Sequence, residues 1–450
     1  MVKIRTVTRL SQRRQLEGAS TMTKELPIVI EDREELIFML SEAAALEHMI
    51  MCEYLFAVFS LKRDVSEGVT AAQLEAIKQW ERVVSLVATQ EMQHLALVSN
   101  LLTAIGSNPF FRHPNFPQHA KYYPPGVQPA LLPFSEHALQ HFLYLERPEG
   151  MDLEDAPEFA ALAIPKPSLT LDDDQIVPHT QDFATQGHLY RGIEQGFRHL
   201  VEKYGEQRVF IGPPRAQAIQ EYFGWPELIA VTDLASACQA IEAIVEQGEG
   251  ARGDWRQAHF GKFLKIRQEY RDLKQQDPGF EPARPVVAAY VRPPSDTSEV
   301  PLISDPVTAG ISELFNASYE VMLQILMRYF IHGEETEDEL QTLSSMAVSA
   351  MFMVIKPLGQ LLTTLPIGTV LPGKVAGPTF EIYQTAYILP HHDAAWIVLH
   401  ERLLELAAYC GKMSGQQSAQ QRDLQAIREN FRRLASVLEP HVKTSQAGKA

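Results

Sequence analysis

The chain has few cysteines, little strand-like alternation and no long uninterrupted apolar run. Its 450 residues include three cysteines, Cys52, Cys238 and Cys410. Their odd number and wide spacing argue against a disulfide framework or a zinc site. They indicate buried thiols of a reducing compartment, so we expect a cytoplasmic location. No apolar run reaches the roughly 18 to 20 residues that span a bilayer, which argues against a membrane protein.

Positive charge is also scarce. The chain has 40 Lys and Arg residues and 56 Asp and Glu residues, which gives a formal net charge of -16. Nucleic acids and anionic membranes both favour a basic surface, so neither is an expected partner. The chain is 45% hydrophobic and 21% charged, as globular proteins are. Its length suits two or three domains, or one domain with large elaborations.

The N-terminus departs from this acidic balance. Basic residues are interleaved with Ser and Thr, and Glu17 is the only acidic residue before Glu25. Such a segment is typical either of an organelle transit peptide or of a solvated terminus. It lacks a clean amphipathic pattern, so we predict a flexible basic segment over residues 1–27.

Helical periodicity predominates in the rest of the chain and predicts an all-α protein. We expect a helical bundle over residues 28–277, with Pro-rich loops inserted between its long helices. A Pro-rich stretch at 278–306 indicates a linker between domains. A second helical domain is predicted over 307–440, with helices near 308–332, 336–365 and 391–438.

Two early helices carry metal-ligand side chains on apolar faces. When successive residues are turned by roughly 100°, Glu47 lies among alanine, leucine and isoleucine side chains. On the next helix Glu91 and His94 fall in one stripe with Val87 and Val98. Buried carboxylates are costly without a compensating charge. These residues therefore point to a bound cation.

The spacing of Glu91 and His94 supports the same interpretation. Glu-x-x-His places a carboxylate and an imidazole one turn apart, so both reach one metal between packed helices. With Glu47 from the neighbouring helix, they form half of a di-iron carboxylate site. The alternative is an ordinary buried hydrogen-bonded pair, because Glu-x-x-His also occurs by chance.

The other half of such a site is harder to find in the sequence. His259 faces inward on a later helix, but Arg256 stands three residues before it, so a second Glu-x-x-His is missing. Glu194 flanks the apolar stripe of the helix that precedes it, and Glu249 lies in the turn before the His259 helix. Each of these two glutamates is either a ligand or a solvated surface residue.

Longer strings resemble a known family, the ferritin-like iminophenyl-pyruvate dimer synthases of bisindole pathways of the violacein and rebeccamycin type. The resemblance rests on LEHMIMCEYLFAVFSLK, EMQHLALVSNLLTAIG, YYPPGVQPALLPFSEHAL, IVEQGEG and HFGKFLKI, and it continues through AGPTFEIY and AAWIVLHERLLELA. It covers nearly the whole chain after residue 30. These strings are specific for the family and do not specify a reaction.

The resemblance implies a ferritin-like four-helix bundle and a role for each matching residue. Glu47 is the implied ligand on the first helix, with Tyr54 as its buried neighbour, and Glu91 with His94 is the implied pair on the second. His259 fits the fourth-helix histidine, and Glu249 stands for its partner carboxylate. Without a second Glu-x-x-His, the site is asymmetric, holds one tight and one loose metal, or holds a single iron.

Three hypotheses follow. In the leading one, iron, expected as a dinuclear centre, acts with O2 on a small, amino-acid-derived substrate of secondary metabolism. Glu91 would bridge and Glu194 or Glu249 would complete the site, while Tyr54 would hold a ligand, carry an electron or serve as a core aromatic residue. The second hypothesis is haem-dependent coupling of imines, with His391, His392 or His400 as axial ligand. The third is a non-catalytic iron-binding or structural protein. A homo-oligomer is left open.

Overall fold

The computed structural model describes residues 27–117, 129–157, 178, 181–250, 254–294, 300–383, 391–416 and 420–447. The predicted N-terminal segment therefore lies almost wholly outside the described residues. The helices, in chain order, are α1 Arg33–Ser60, α2 Ala71–Ala104, α3 Glu136–Leu145, α4 Gln186–Tyr204, α5 Glu206–Val209, α6 Gln220–Phe223, α7 Leu234–Gly248, α8 His259–Gln276, α9 Pro306–Phe330, α10 Glu337–Ala350, α11 Lys356–Leu362, α12 His392–Gln416 and α13 Gln421–Ala447. The predicted all-α fold class is confirmed.

The first two helices form the centre of the N-terminal bundle. Asp32 caps α1 by accepting from the Glu35 amide, and Thr70 and Gln73 form a reciprocal capping box at the start of α2. The two helices pack along each other, α4 packs on α1 and α7, and α8 packs on α2 and α3. This arrangement surrounds the α1–α2 pair with helices that supply further side chains to its interior.

Helix α1 is buried on nearly all sides. It and the segment Glu337–Leu362 are long and apolar enough to cross a membrane by length and composition. However, 94% of the apolar window of α1 is buried inside the protein, as is half of the other window. Core helices of folded proteins pass the same test, so this is weak evidence for a membrane.

One helix predicted in the C-terminal region is divided in two. A single helix was expected near 391–438, but α12 ends at Gln416 and α13 begins at Gln421, and the two pack closely together. Gly411 and Gly415 lower helix propensity just before this break. The other two predicted helices are present, and a π-helical turn at Met351–Ile355 joins α10 to α11.

The predicted linker is packed between the two helical regions. Its strand β1, Val286–Val287, pairs in parallel with β2, Val375–Ala376. The Arg284 guanidinium lies 2.6 Å from the Glu67 carboxylate. Helix α11 approaches α1 closely at Gly359, where an added Cβ would lie 2.6 Å from the Phe59 ring. The division into two domains stays a prediction.

Candidate metal centre

Helices α1 and α2 bring three of the predicted ligands together. Glu47, Glu91 and His94 are fully buried, and one donor atom from each lies within 4.8 Å of the others. His94 Nδ1 is 2.8 Å from Glu91 Oε2 and 3.4 Å from Glu47 Oε2. The three-residue spacing predicted from the sequence thus places the imidazole between two carboxylates.

A second group of donors adjoins the first. Glu91, Glu146 and His259 offer atoms that also lie within 4.8 Å of one another. His259 Nδ1 is 2.9 Å from Glu91 Oε1 and 3.6 Å from Glu146 Oε1. Glu146 directly follows α3, where its amide donates to the Phe142 carbonyl, and His259 begins α8. All three side chains are buried.

Glu91 belongs to both groups. Its Oε2 faces His94 and its Oε1 faces His259. The two imidazole rings stack with their centroids 5.6 Å apart and their planes 26° apart. One carboxylate between two such groups is the arrangement that a bridging ligand of a dinuclear centre requires.

Amide side chains orient both imidazoles. His94 Nε2 lies 3.0 Å from Gln247 Oε1, and His259 Nε2 lies 3.3 Å from Gln90 Oε1. An amide oxygen only accepts, so each Nε2 carries the hydrogen that it donates. Each Nδ1 therefore presents its lone pair to the carboxylates when the ring is neutral, as metal-binding histidines do.

Two tyrosines hold the terminal carboxylates. The Tyr54 hydroxyl donates to Glu146 Oε1, and the Tyr190 hydroxyl donates to Glu47 Oε1. The Tyr54 ring packs against Phe142 and Phe263 at centroid distances of 4.7 and 5.0 Å. Tyr54 thus lies beside the cluster, as expected, and contacts it through Glu146.

The glutamates differ in their protonation. Burial raises the pKa of Glu47 to about 7, against the opposing effect of His94. Burial and the charge of Glu91 together raise the pKa of Glu146. Burial also disfavours the charged form of Glu91, but His259 and His94 outweigh it and hold the pKa of Glu91 well below its usual range. Of the three glutamates, Glu91 therefore has the strongest preference for the ionised form.

The two imidazoles have raised pKa values in the metal-free protein. Burial by itself would lower the pKa of His94, but Glu91 and Glu47 raise it well above its ordinary value. The pKa of His259 is raised in the same way by Glu91 and Glu146, against the effect of burial. Protons thus occupy positions that a cation would take, and a bound metal would displace them.

The cluster's donors fit iron. Glu47 Oε2, Glu91 Oε1 and His259 Nδ1 are buried without a partner in hydrogen-bond geometry, and unsatisfied buried polar atoms of this kind are rare. Carboxylate and imidazole donors without a thiolate suit Fe(II) or Mn(II). Three carboxylates and two neutral imidazoles would offset most of the charge of two divalent ions.

Two predicted ligands lie outside both donor groups. Glu194 is on α4 and pairs with Arg198, its Oε1 being 2.6 Å from the guanidinium, with 27% of its side chain exposed. Glu249 is buried near Glu146, but its oxygens accept from the amides of Gly187 and Glu149 at 2.7 and 3.2 Å. The Glu249 carboxylate was considered as a metal ligand, but in the structure it accepts hydrogen bonds from backbone amides instead.

Glu146, which was not among the predicted ligands, is the carboxylate that accompanies His259 and Glu91 in the second donor group. The sequence carried a signal for it, because Leu139, Phe142, Leu143 and Glu146 are spaced as one helical face and all are buried. The helix that presents this face is only ten residues long. The sequence prediction drew its ligands from the long helices and therefore missed Glu146.

Glu53, the neighbour of Tyr54 on α1, belongs to a different buried network. Its Oε1 accepts from the Ala130 amide at 2.8 Å, and its Oε2 lies 3.5 Å from His141 Nε2. His141 Nδ1 lies 2.9 Å from Asp155. Burial raises the pKa of Glu53 to about 7. Burial would lower the pKa of His141, but hydrogen bonds to Asp155 and Glu53 raise it to about 9.

The candidates for a haem ligand are in other surroundings. Both ring nitrogens of His392 face carboxylates, Nε2 at 3.1 Å from Glu339 and Nδ1 at 3.1 Å from Asp393. His391 is exposed and His400 is half-buried. None of the three presents a free, buried nitrogen of the kind found in the cluster around Glu91.

This geometry agrees with comparisons to known proteins. A family model described as Ferritin-like matches residues 40–268, about half of the chain and the part that holds all five residues of the two donor groups. The chain therefore belongs to the ferritin-like family.

Two curated relatives are similar over most of this chain. It is 29% identical to dichlorochromopyrrolate synthase of Lentzea aerocolonigenes over 84% of its own length and 39% of the relative's. It is 26% identical to 2-imino-3-(indol-3-yl)propanoate dimerase of Chromobacterium violaceum over 78% of its own length and 34% of the relative's. The resemblance predicted from the sequence is confirmed. The chain spans less than two fifths of the length of these relatives.

A solved structure, that of a ferritin-like protein from Caulobacter vibrioides, also matches. It is 19% identical, with a TM-score of 0.43, over 70% of this chain and 96% of that one.

Proposed function

We propose that the chain is an iron-dependent oxidoreductase whose centre holds two iron ions. Glu47 and His94 would bind one ion, Glu146 and His259 would bind the other, and Glu91 would bridge them. The observation that carries this proposal is that two buried donor groups share one carboxylate. When bound, the iron would supply the reaction with O2, which protein side chains alone do not perform.

The protein's own groups would set the geometry of this centre. Gln247 and Gln90 hold the imidazoles with Nδ1 toward the carboxylates. The Tyr54 and Tyr190 hydroxyls hold the two terminal glutamates. Tyr54 is thus a positioning residue that acts through Glu146. The fully buried surroundings exclude bulk water from the cluster.

For the substrate, we infer a 2-imino acid derived from an amino acid. One of the two relatives is named a dimerase of 2-imino-3-(indol-3-yl)propanoate, which is a compound of this class. Joining two imino acids through a new carbon–carbon bond removes two hydrogens in total. The two electrons would pass to O2, giving hydrogen peroxide with the two protons. The two relatives are longer proteins, so the proposal concerns only the part of such a reaction that this chain would carry out.

A groove beside α8 suits an anionic substrate of this kind. It has a volume of about 220 Å³, and its charged lining consists of three basic residues, Arg256, Lys262 and Lys265, and one acidic residue, Glu269. Lys262 Nζ lies 3.0 Å from Gln90 Oε1, the same oxygen that contacts His259. We infer that a substrate carboxylate approaches along this groove. Replacing Lys262 by Gln should then raise KM more than it lowers kcat, whereas an unchanged KM would argue against this route.

The first test is metal analysis of the purified protein beside its absorption spectrum, repeated on Glu91→Ala and His94→Ala. About two irons per chain, lost from Glu91→Ala, reduced to about one in His94→Ala and without a haem band, would support the proposal. A haem band that survives both substitutions would move the chemistry to another pocket. Lack of metal after iron is supplied anaerobically would contradict the proposal.

A second test addresses the reaction. O2 consumption would be followed with the imine that forms from indole-3-pyruvate and ammonia, and with phenylpyruvate and ammonia as a comparison. Substrate-dependent consumption that is lost in Glu91→Ala supports the oxidase. Consumption that needs only iron and O2 would instead indicate storage chemistry.

A further inference from the structure

A second set of side chains that could bind a metal lies on another side of α1. His48 and Cys52 are one helical turn apart on α1, and His113 follows α2 in the chain. The first two side chains are fully buried and that of His113 is 6% exposed. One donor atom from each lies within 4.8 Å of the others. Three side chains from two separate segments thus converge on one point.

His113 presents an unused lone pair. Its Nδ1 lies 2.8 Å from the Pro114 carbonyl oxygen, which only accepts, so Nδ1 carries the ring hydrogen. Its Nε2 is buried and has no hydrogen-bond partner. Leaving such an atom unsatisfied disfavours the folded state. A histidine whose other nitrogen donates to a backbone carbonyl is in the form that binds metals.

The neighbours of His113 complete a compact polar centre. The His48 ring packs edge-on against it, with centroids 4.6 Å apart. The Tyr319 hydroxyl on α9 contacts His48 Nε2 and lies 3.4 Å from Cys52 Sγ. A methionine-rich apolar cavity of about 30 Å³, lined by His48, Met51, Met92 and Tyr319 among others, adjoins this centre.

The donor set differs from that of the iron cluster. Two imidazoles and a thiol replace carboxylates, so the centre favours a thiophilic ion of the zinc class over iron or manganese. We propose that His48, Cys52 and His113 bind a single such ion, with Tyr319 at its fourth side. Binding would release the Cys52 thiol proton, and the ion would tie α1 to the segment after α2.

The test uses cobalt(II) as a probe for zinc in the full chain. Cobalt bound to a thiolate absorbs in the near ultraviolet, and cobalt bound only to carboxylates and imidazoles lacks this absorption. After chelation, titration should give one equivalent of the thiolate band, and added zinc should abolish it. Cys52→Ala and His113→Gln should lose the band, while Cys238→Ala and Cys410→Ala should keep it.

Several outcomes would overturn the proposal. One is that the wild-type chain binds cobalt without a thiolate band, a result that depends on no variant. Another is that the band persists in Cys52→Ala or disappears in Cys238→Ala. Glu91→Ala separates this site from the iron centre, because it should abolish iron binding and leave the thiolate band intact. Circular dichroism of each variant would show that the helices are retained.

Discussion

Replacing Glu146 by Gln should remove one of the two proposed irons. Glutamine keeps the volume and one oxygen that accepts from Tyr54, but it loses the charge shared with His259. Glu47, Glu91 and His94 form the other donor group and are untouched. Iron content should therefore fall from about two ions per chain to about one.

The size of the effect follows from the chemistry of the ligand. Removing even an outer partner of a metal ligand weakens binding by roughly 10- to 100-fold. Loss of a ligating charge should reach at least the upper value, which corresponds to about 2.7 kcal/mol.

The matched control is Glu194→Gln. This glutamate lies on a helix of the same bundle, but it pairs with Arg198 at the surface, a contact worth about 0.3–0.5 kcal/mol. Iron would be measured by elemental analysis after anaerobic loading and desalting. Full iron content in Glu146→Gln, or an equal loss in Glu194→Gln, would refute the assignment of the second ion.

Three more predictions concern neighbouring residues. Tyr54→Phe should retain iron but lower kcat about tenfold or more, because Glu146 loses its hydroxyl partner; unchanged kcat would leave Tyr54 a core aromatic residue. The raised pKa of His141 stabilises the fold fully below pH 6.5, and this contribution, up to about 3 kcal/mol, should be lost as pH rises through 9. Urea unfolding of metal-free wild type and His141→Gln should therefore converge at high pH, and parallel curves would contradict this. Arg328→Met should destabilise the protein by about 3–5 kcal/mol in thermal or urea unfolding, because the buried Glu335 loses its ion-pair partner and keeps only the neutral donors of Trp396 and Gly333. A loss below about 1 kcal/mol would disagree.

The sequence predicted the half of the cluster that lies within single helices. Glu91 and His94 share a face because they are three residues apart, and Glu47 was found by its apolar neighbours. These relations depend on helix geometry alone. His259 was also predicted, because it lies on the inward face of its helix. Its companion carboxylate, Glu146, comes from a different segment.

The remaining carboxylate could not be placed without the tertiary structure. The sequence prediction considered Glu194 and Glu249 and missed Glu146, although all three lie beside apolar stretches. The decision depends on what each carboxylate meets after folding. Glu194 meets the Arg198 guanidinium, Glu249 meets backbone amides, and Glu146 meets Tyr54 and His259. These partners are distant in sequence, except for Arg198.

The same reasoning explains why the thiol-containing cluster escaped the sequence pattern. An amphipathic helix has one apolar stripe, and a polar residue within it is conspicuous. Helix α1 is apolar on nearly every side because helices cover it all round. Glu47 faces the bundle interior, while the next residue, His48, faces His113 and Tyr319. Since α1 contributes to two donor sets, a distortion of this helix should disturb both proposed metal sites. For each proposed substitution, the metal content of the other site should therefore be measured as well. An unchanged content there shows that α1 is not distorted.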